Sequence, residues 1–241
     1  MKNKAILIII LFTNYFLYSQ ESNFEVTYSV TVSFDKEFLS GMRKELRNKF
    51  IEAQTNSETI YPKLLFNDTI SSFYVDESMN IGNNNKNSFI KMLIGCSKPV
   101  FTNLKDKTIY FNNPDDGRLY KNDEFLIYKK IIKNWTVTKE TKLINGYLCY
   151  KAYRKENDFD VTAWFCPKFP YSYGPKESSG LPGLVFELNE KNTTFGLKSI
   201  KKITKKINIT TKGLRTPYEE FLIILKERRK KRDAFLRESE K

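Results

Sequence analysis

Histidine is absent from all 241 residues, and no other gap in the composition excludes as much chemistry. Without it there is no Ser-His-Asp or Cys-His nucleophile and no imidazole-bound zinc. Cysteine is scarce: Cys96, Cys149 and Cys166 are the three, and none is part of a Cys-x-x-Cys metal spacing. Ten glycines are scattered without forming a phosphate-cradling loop. Long apolar runs are missing too. Ala5–Phe12 is the longest near the start, far short of the roughly 20 residues that span a bilayer. No Pro/Gly/Ser-rich linker and no internal repeat interrupts the chain, which predicts one domain over residues 21–241. Carboxylate, Lys and Tyr chemistry is what remains for catalysis. Asp115-Asp116 and Glu219-Glu220 read better as a surface turn and a helix first turn than as paired acids. The expectation is a protein that is not an enzyme and that needs no metal or cofactor.

What is present begins with a leader. Lys2 and Lys4 precede the apolar run, and the stretch then turns mixed and ends at Ser19-Gln20. That layout predicts a signal peptide over residues 1–20 and a mature protein exported to the periplasm, the outer membrane or the exterior of a Gram-negative cell. No transmembrane span is expected after its removal. The net charge is +13, or +11 once Lys2 and Lys4 are gone. In an exported protein such a charge points away from nucleic acid, toward an anionic envelope component or an acidic protein surface. It also serves ordinary solubility.

Aromatic residues make up 15% of the chain, enough to build a packed β protein. Phe24–Phe34 alternates apolar and polar residues without a break, the period of a strand with one wet face. Lys36–Gln54 switches to helical spacing behind Asp35 as N-cap, which predicts one amphipathic helix packed on the sheet. Short strands are expected at 63–66, 70–75, 89–94, 100–104, 108–111, 119–121 and 125–128, with a mobile polar loop at 76–88. Thr216-Pro217-Tyr218-Glu219 reads as a capping box that opens a C-terminal helix carrying the basic run Arg228–Arg232. The predicted fold is mainly β: a curved antiparallel sheet, bowl or half-barrel, with one packed helix and a C-terminal helix.

Two strands, 147–154 and 160–166, flank Asn157-Asp158 as a hairpin turn. That turn sets Cys149 opposite Cys166 in a non-hydrogen-bonded pair, where Cα atoms lie about 4.5 Å apart. A Cys149–Cys166 disulfide is therefore allowed, with Cys96 left free; three buried thiols are the alternative.

The stretch from Trp135 to Glu187 holds the most information. Pro167, Pro170, Gly174-Pro175 and Pro182 punctuate a long connection that the fixed φ values should order. Leu181-Pro182-Gly183-Leu184 fits a type II turn, with Gly where φ must be positive. Trp164, Gly174, Pro175, Gly180, Leu181, Pro182, Gly183 and Leu184 are the candidate binding residues. The same stretch resembles the GLPGLI family of exported bacterial proteins, the hexapeptide standing here as Gly180-Leu181-Pro182-Gly183-Leu184-Val185. Trp135, Ile144-Asn145-Gly146-Tyr147-Leu148-Cys149, Ala163-Trp164-Phe165, Pro170 and Gly174-Pro175 precede it in the family's order. The resemblance implies no reaction and no catalytic residues. It is also similar to the bowl-shaped domain ahead of some bacterial N-glycan amidases, which implies an accessory or binding module. The function expected is a non-catalytic interaction module of the envelope. The alternative is a carrier that holds an apolar, lipid-like ligand in the concave sheet.

Overall fold

The structure is a computed structural model that describes residues 22–76, 84–113, 119–132, 134–156, 159–209 and 212–239. The expected signal peptide, Asp115-Asp116 and the expected turn at Asn157-Asp158 lie outside the described residues.

The strands are β1 (Asn23–Val32), β2 (Lys63–Phe66), β3 (Ile70–Tyr74), β4 (Val100–Asn103), β5 (Thr108–Asn112) and β6 (Phe125–Lys130), followed by β7 (Thr136–Ile144), β8 (Tyr147–Glu156), β9 (Phe159–Cys166), β10 (Leu184–Glu190), β11 (Thr193–Ile203) and β12 (Leu214–Pro217). All belong to one sheet in the order β12-β6-β5-β4-β3-β2-β1-β11-β10-β9-β8-β7. The two ends do not pair, so the sheet is open and not a barrel. Neighbours are antiparallel except β12, which runs parallel to β6. The expected antiparallel sheet thus ends in one parallel edge, because the chain crosses back from β11 before entering β12.

β1 shows why the alternating pattern works. Val26, Tyr28, Val30 and Val32 are essentially inaccessible, while Thr27, Ser29 and Thr31 are not. Phe24 stacks on Phe66 across the β1–β2 pair, with ring centroids 5.3 Å apart. Tyr28 keeps a polar tip in this core and satisfies it by donating from its hydroxyl to the Val185 carbonyl, 2.7 Å.

The helical segment after β1 departs from expectation. It forms α1 (Lys36–Ser40) and α2 (Lys44–Asn56), broken at 41–43. Asp35 does cap α1, its carboxylate accepting from Phe38 N at 2.6 Å. Arg47 reaches back to the carbonyls of Leu39, Ser40 and Met42 and ties the break together. Phe34, Phe38, Phe50 and Phe89 make successive ring contacts at 4.9–5.6 Å, which staple the helices to the end of β1. Phe89 belongs to α3 (Asn84–Leu93), where a strand was expected at 89–94. Its run Phe89, Ile90, Leu93, Ile94 has helical spacing as well as strand composition, and packing on α2 decides for the helix. The polar segment 76–88 is accordingly not one loop: residues 84–88 are helical, and 77–83 lie outside the described residues.

Leu119–Lys121 is not a strand; Leu119 is buried and its carbonyl accepts from Arg228 Nη1. The C-terminal helix, α4 (Tyr218–Ser239), is present, but not behind a capping box. Thr216 is buried in β12 and its hydroxyl donates back to the Leu214 carbonyl.

Candidate binding site

Between β9 and β10 the chain makes a long excursion, residues 167–183, and this is where the sequence placed its candidate residues. Prolines fix φ along it, and local bonds close it on itself. Tyr171 N donates to the Phe169 carbonyl and Tyr173 N to the Tyr171 carbonyl. Gly180 N donates to the Ser172 hydroxyl, 2.9 Å, and Gly180 takes φ +98°, which a side chain would resist. Leu184 N and Val185 N then donate to the carbonyls of Phe169 and Tyr173, sewing the loop to the start of β10.

The loop lies on the sheet rather than in solvent. Tyr171 packs on Phe24 and Phe66, and Tyr173 on Phe66 at 5.5 Å. Tyr173, Gly174, Pro175, Ser178, Ser179, Leu181, Gly183 and Leu184 are all buried; Gly180 is half-buried and Pro182 is exposed. Its far end is clamped by Lys176 to Glu190 at 2.7 Å, Glu177 to Lys129 at 2.5 Å, and Trp135 Nε1 donating to the Ser179 carbonyl at 3.1 Å. Burial raises the pKa of the Tyr173 hydroxyl, with Asp68 adding to the effect. That hydroxyl and the Ser179 hydroxyl are buried without a hydrogen-bond partner among the described residues.

Gly183 does not occupy the positive-φ corner of a type II turn. It is glycine because a Cβ there would stand 2.5 Å from the Cys166 carbonyl oxygen and 2.9 Å from Pro167 N. Close approach of two backbones, not handedness, sets this residue.

Trp164 sits apart from the loop. It pairs with Glu187 across the β9–β10 ladder and with Lys151 across β8–β9. Lys142 Nζ lies 4.4 Å over its ring and bonds Glu187 at 2.8 Å. Lys151 bonds Glu140 at 2.9 Å beside it. Trp164 thus lies among charged side chains on this face of the sheet.

The β8–β9 register runs unbroken from Glu156↔Phe159 to Tyr150↔Phe165. The same register carries Cys149 to Cys166. All three cysteines are buried free thiols in this structure. Cys149 is pushed up to about 12 by burial and by the Cys166 thiol beside it. Burial likewise pushes Cys96 up to about 12.

α4 contrasts with all of this. Phe221 packs on Phe125 and Tyr120, and Arg228 forms a bidentate pair with Glu124, 2.7 and 3.1 Å. That pairing holds the Glu124 carboxyl below the usual carboxylate range and raises Arg228. Beyond it Arg229, Lys230 and Lys231 are exposed, and so is Phe235, at 69%. Sequence reasoning singled out this basic run but not the Arg228–Glu124 anchor, whose partners are more than a hundred residues apart.

Among the described residues no group of three or more Cys, Asp or Glu is placed to hold a metal ion. No described helix is long and apolar enough to cross a membrane.

Comparison with known proteins adds little beyond the fold. No curated protein matches the chain. Two solved structures are similar, "Structure of PNGF-II in P21 space group" and "Structure of PNGF-II in C2 space group", with TM-scores of 0.56 and 0.54. Each is 16% identical and covers 86% of this chain. The chain spans about a third of those proteins, 34% and 33%. At that identity the likeness is one of fold. Residues 153–187, from β8 through the buried loop into β10, match a family described as "Protein of unknown function (Porph_ging)".

Proposed function

We propose that this chain is an exported, non-catalytic interaction module of a bacterial cell envelope, and that α4 is the element that meets an anionic partner. One observation carries the reading: consecutive basic side chains, Arg229 to Lys231, stand exposed on a helix whose anchoring cluster ends near Arg228. Cationic groups so placed attract anionic lipid headgroups or an acidic protein surface, and exposed Phe235 supplies apolar contact. The leader-like residues 1–20, the charge of +13 and the GLPGLI resemblance of residues 180–185 support export and an accessory role. The loop of residues 174–184 contributes differently from what exposure would allow. It fills one face of the sheet, leaving Pro182 as its accessible tip.

Photo-crosslinking in intact cells tests this, with the crosslinker at Lys230, at Phe235 and at Pro182. A defined envelope partner captured from the α4 positions, and lost when Arg229, Lys230 and Lys231 become glutamate, supports the proposal. Capture of unrelated envelope proteins, indifferent to the charge reversal, contradicts it.

A second reading has its own support. A groove of about 460 Å³ between α2 and α3 is lined by Ala53, Phe89, Ile90 and Met92, with Lys49 and Glu52 at its rim. A lipid-like ligand would use such a groove rather than the sheet face beneath Tyr173. Native mass spectrometry of gently isolated protein distinguishes the readings: a reproducible small adduct supports the carrier, and a bare or protein-bound mass supports the interaction module.

A further inference from the structure

At the far end of the loop the sheet carries an arginine that the structure leaves under-used. Arg154 lies on β8 opposite Val161 of β9 and is 7% exposed. Its guanidinium stacks 4.5 Å over the Trp135 ring. The one hydrogen bond its guanidinium makes among the described residues is Nη2 to Glu156 at 3.4 Å. That is long for a charge-assisted bond, which is usually about 2.7–2.9 Å. Nε is buried with no hydrogen-bond partner among the described residues.

A buried guanidinium with unused donors is costly unless an anion completes it. The surroundings are arranged to admit one. Arg154 borders a depression of about 250 Å³, shared with Glu156, Phe159, Lys176, Ser178 and Lys191. Two of the carboxylates there are already matched, Glu190 by Lys176 at 2.7 Å and Glu177 by Lys129 at 2.5 Å. Lys191 is not: its Nζ sits 4.3 Å over the Phe159 ring and has no ion-pair partner among the described residues. Among the described residues of the lining, Glu156 is then the one carboxylate left to Arg154 and Lys191.

We propose that this depression binds a small carboxylate-bearing molecule, its carboxylate on Arg154 and Lys191 and a donor group, hydroxyl or ammonium, toward Glu156. A planar guanidinium matches a carboxylate in two parallel bonds, which an ammonium cannot do. The volume is below the roughly 300–1,000 Å³ typical of drug-sized ligands and suits an amino acid or a monosaccharide acid. Trp135 stiffens the site, because its ring holds the guanidinium plane while its N–H is fixed on the Ser179 carbonyl. The site is separate from α4 and does not depend on the function proposed for that helix.

The chain holds two tryptophans, Trp135 and Trp164, so an amide NMR spectrum carries two indole N–H signals. Titration of the full chain with sodium glucuronate and with L-alanine, at constant ionic strength, should move the Trp135 signal saturably and leave Trp164 in place. Response to glucuronate identifies a hydroxylated acid, and response to alanine an amino acid. Glucose, which lacks the carboxylate, should do nothing. Arg154→Lys should weaken binding about tenfold or more. If that variant does not fold, Lys191→Ala, at the rim, should still weaken binding several-fold. A Trp135 signal that ignores both acids, or moves equally with glucose, or an affinity unchanged in Lys191→Ala, would overturn the assignment.

Discussion

Two segments ride on this sheet, and they are held in opposite ways. The loop of residues 167–183 is wedged among Phe24, Phe66 and β10, stitched by backbone bonds and clamped by ion pairs at its far end. α4 is longer, yet it rests on a small cluster of Phe125, Ile127 and Phe221 before extending with exposed basic residues. A segment that donates so many groups inward has few left for a partner. A helix anchored at one end keeps most of its face available, at the expense of local stability. The loop thus packs mainly into the fold, with Pro182 left exposed, whereas Arg229, Lys230 and Lys231 of α4 are exposed.

Breaking the loop should cost most. Gly183→Ala forces a Cβ against the Cys166 backbone, which has no flexible end to move aside. Leu181→Ala leaves a cavity where a side chain is 2% exposed. Each should destabilise the whole sheet by about 2–5 kcal/mol, read from denaturant midpoints. A loss below about 1 kcal/mol for both would mean the loop is a surface feature after all. Phe221→Ala should cost about 3 kcal/mol, the low end for a buried Phe because its cluster is small. It should act by freeing α4, seen as lost helical signal with the β signal intact. Loss of both together would show that α4 is integral to the core.

The cysteines sharpen the contrast in another way. With their pKa values pushed up to about 12, Cys96 and Cys149 hold little thiolate at neutral pH. In the reduced native protein their alkylation should keep rising with pH past the ordinary thiol value of about 8.5. A plateau near that value would contradict their burial. The strand register also supports oxidation of Cys149 with Cys166 by thiol–disulfide exchange with an envelope oxidant. Protein taken from the envelope and unfolded without reductant should then expose one reactive thiol; three would rule the bond out.

The smallest effect concerns Glu124 and Arg228. Because folding lowers the Glu124 pKa, its stabilisation is present above the unfolded value of about 4.3 and is lost as pH falls through the folded value. Both side chains are about a third exposed, 30% and 35%, so the pair contributes about 1 kcal/mol or less. Arg228→Ala should abolish the acid-side fraying of α4, followed by helix circular dichroism, and leave the sheet's transition alone.

Legibility followed the same division. β1 was readable because one of its faces is wet, so period two survives in the sequence. The Cys149–Cys166 opposition followed from counting out of a short turn. α3 was misread because Phe89, Ile90, Leu93 and Ile94 satisfy two periods, and only contact with Phe50 selects one. Gly183 was assigned the wrong reason, since a backbone contact with Cys166 leaves no local pattern. The Arg154 depression was invisible, because its members come from β8, β9, β10, the loop and the turn after β10.

Hydrogen exchange resolved by peptide separates the two segments most directly. Amides of residues 171–173, 178–180 and 184–185 should exchange only with global unfolding, while those of 229–239 should exchange orders of magnitude faster. Equal protection in both segments, or fast exchange in the loop, would contradict the assignment of the loop to the core and of α4 to the contact surface.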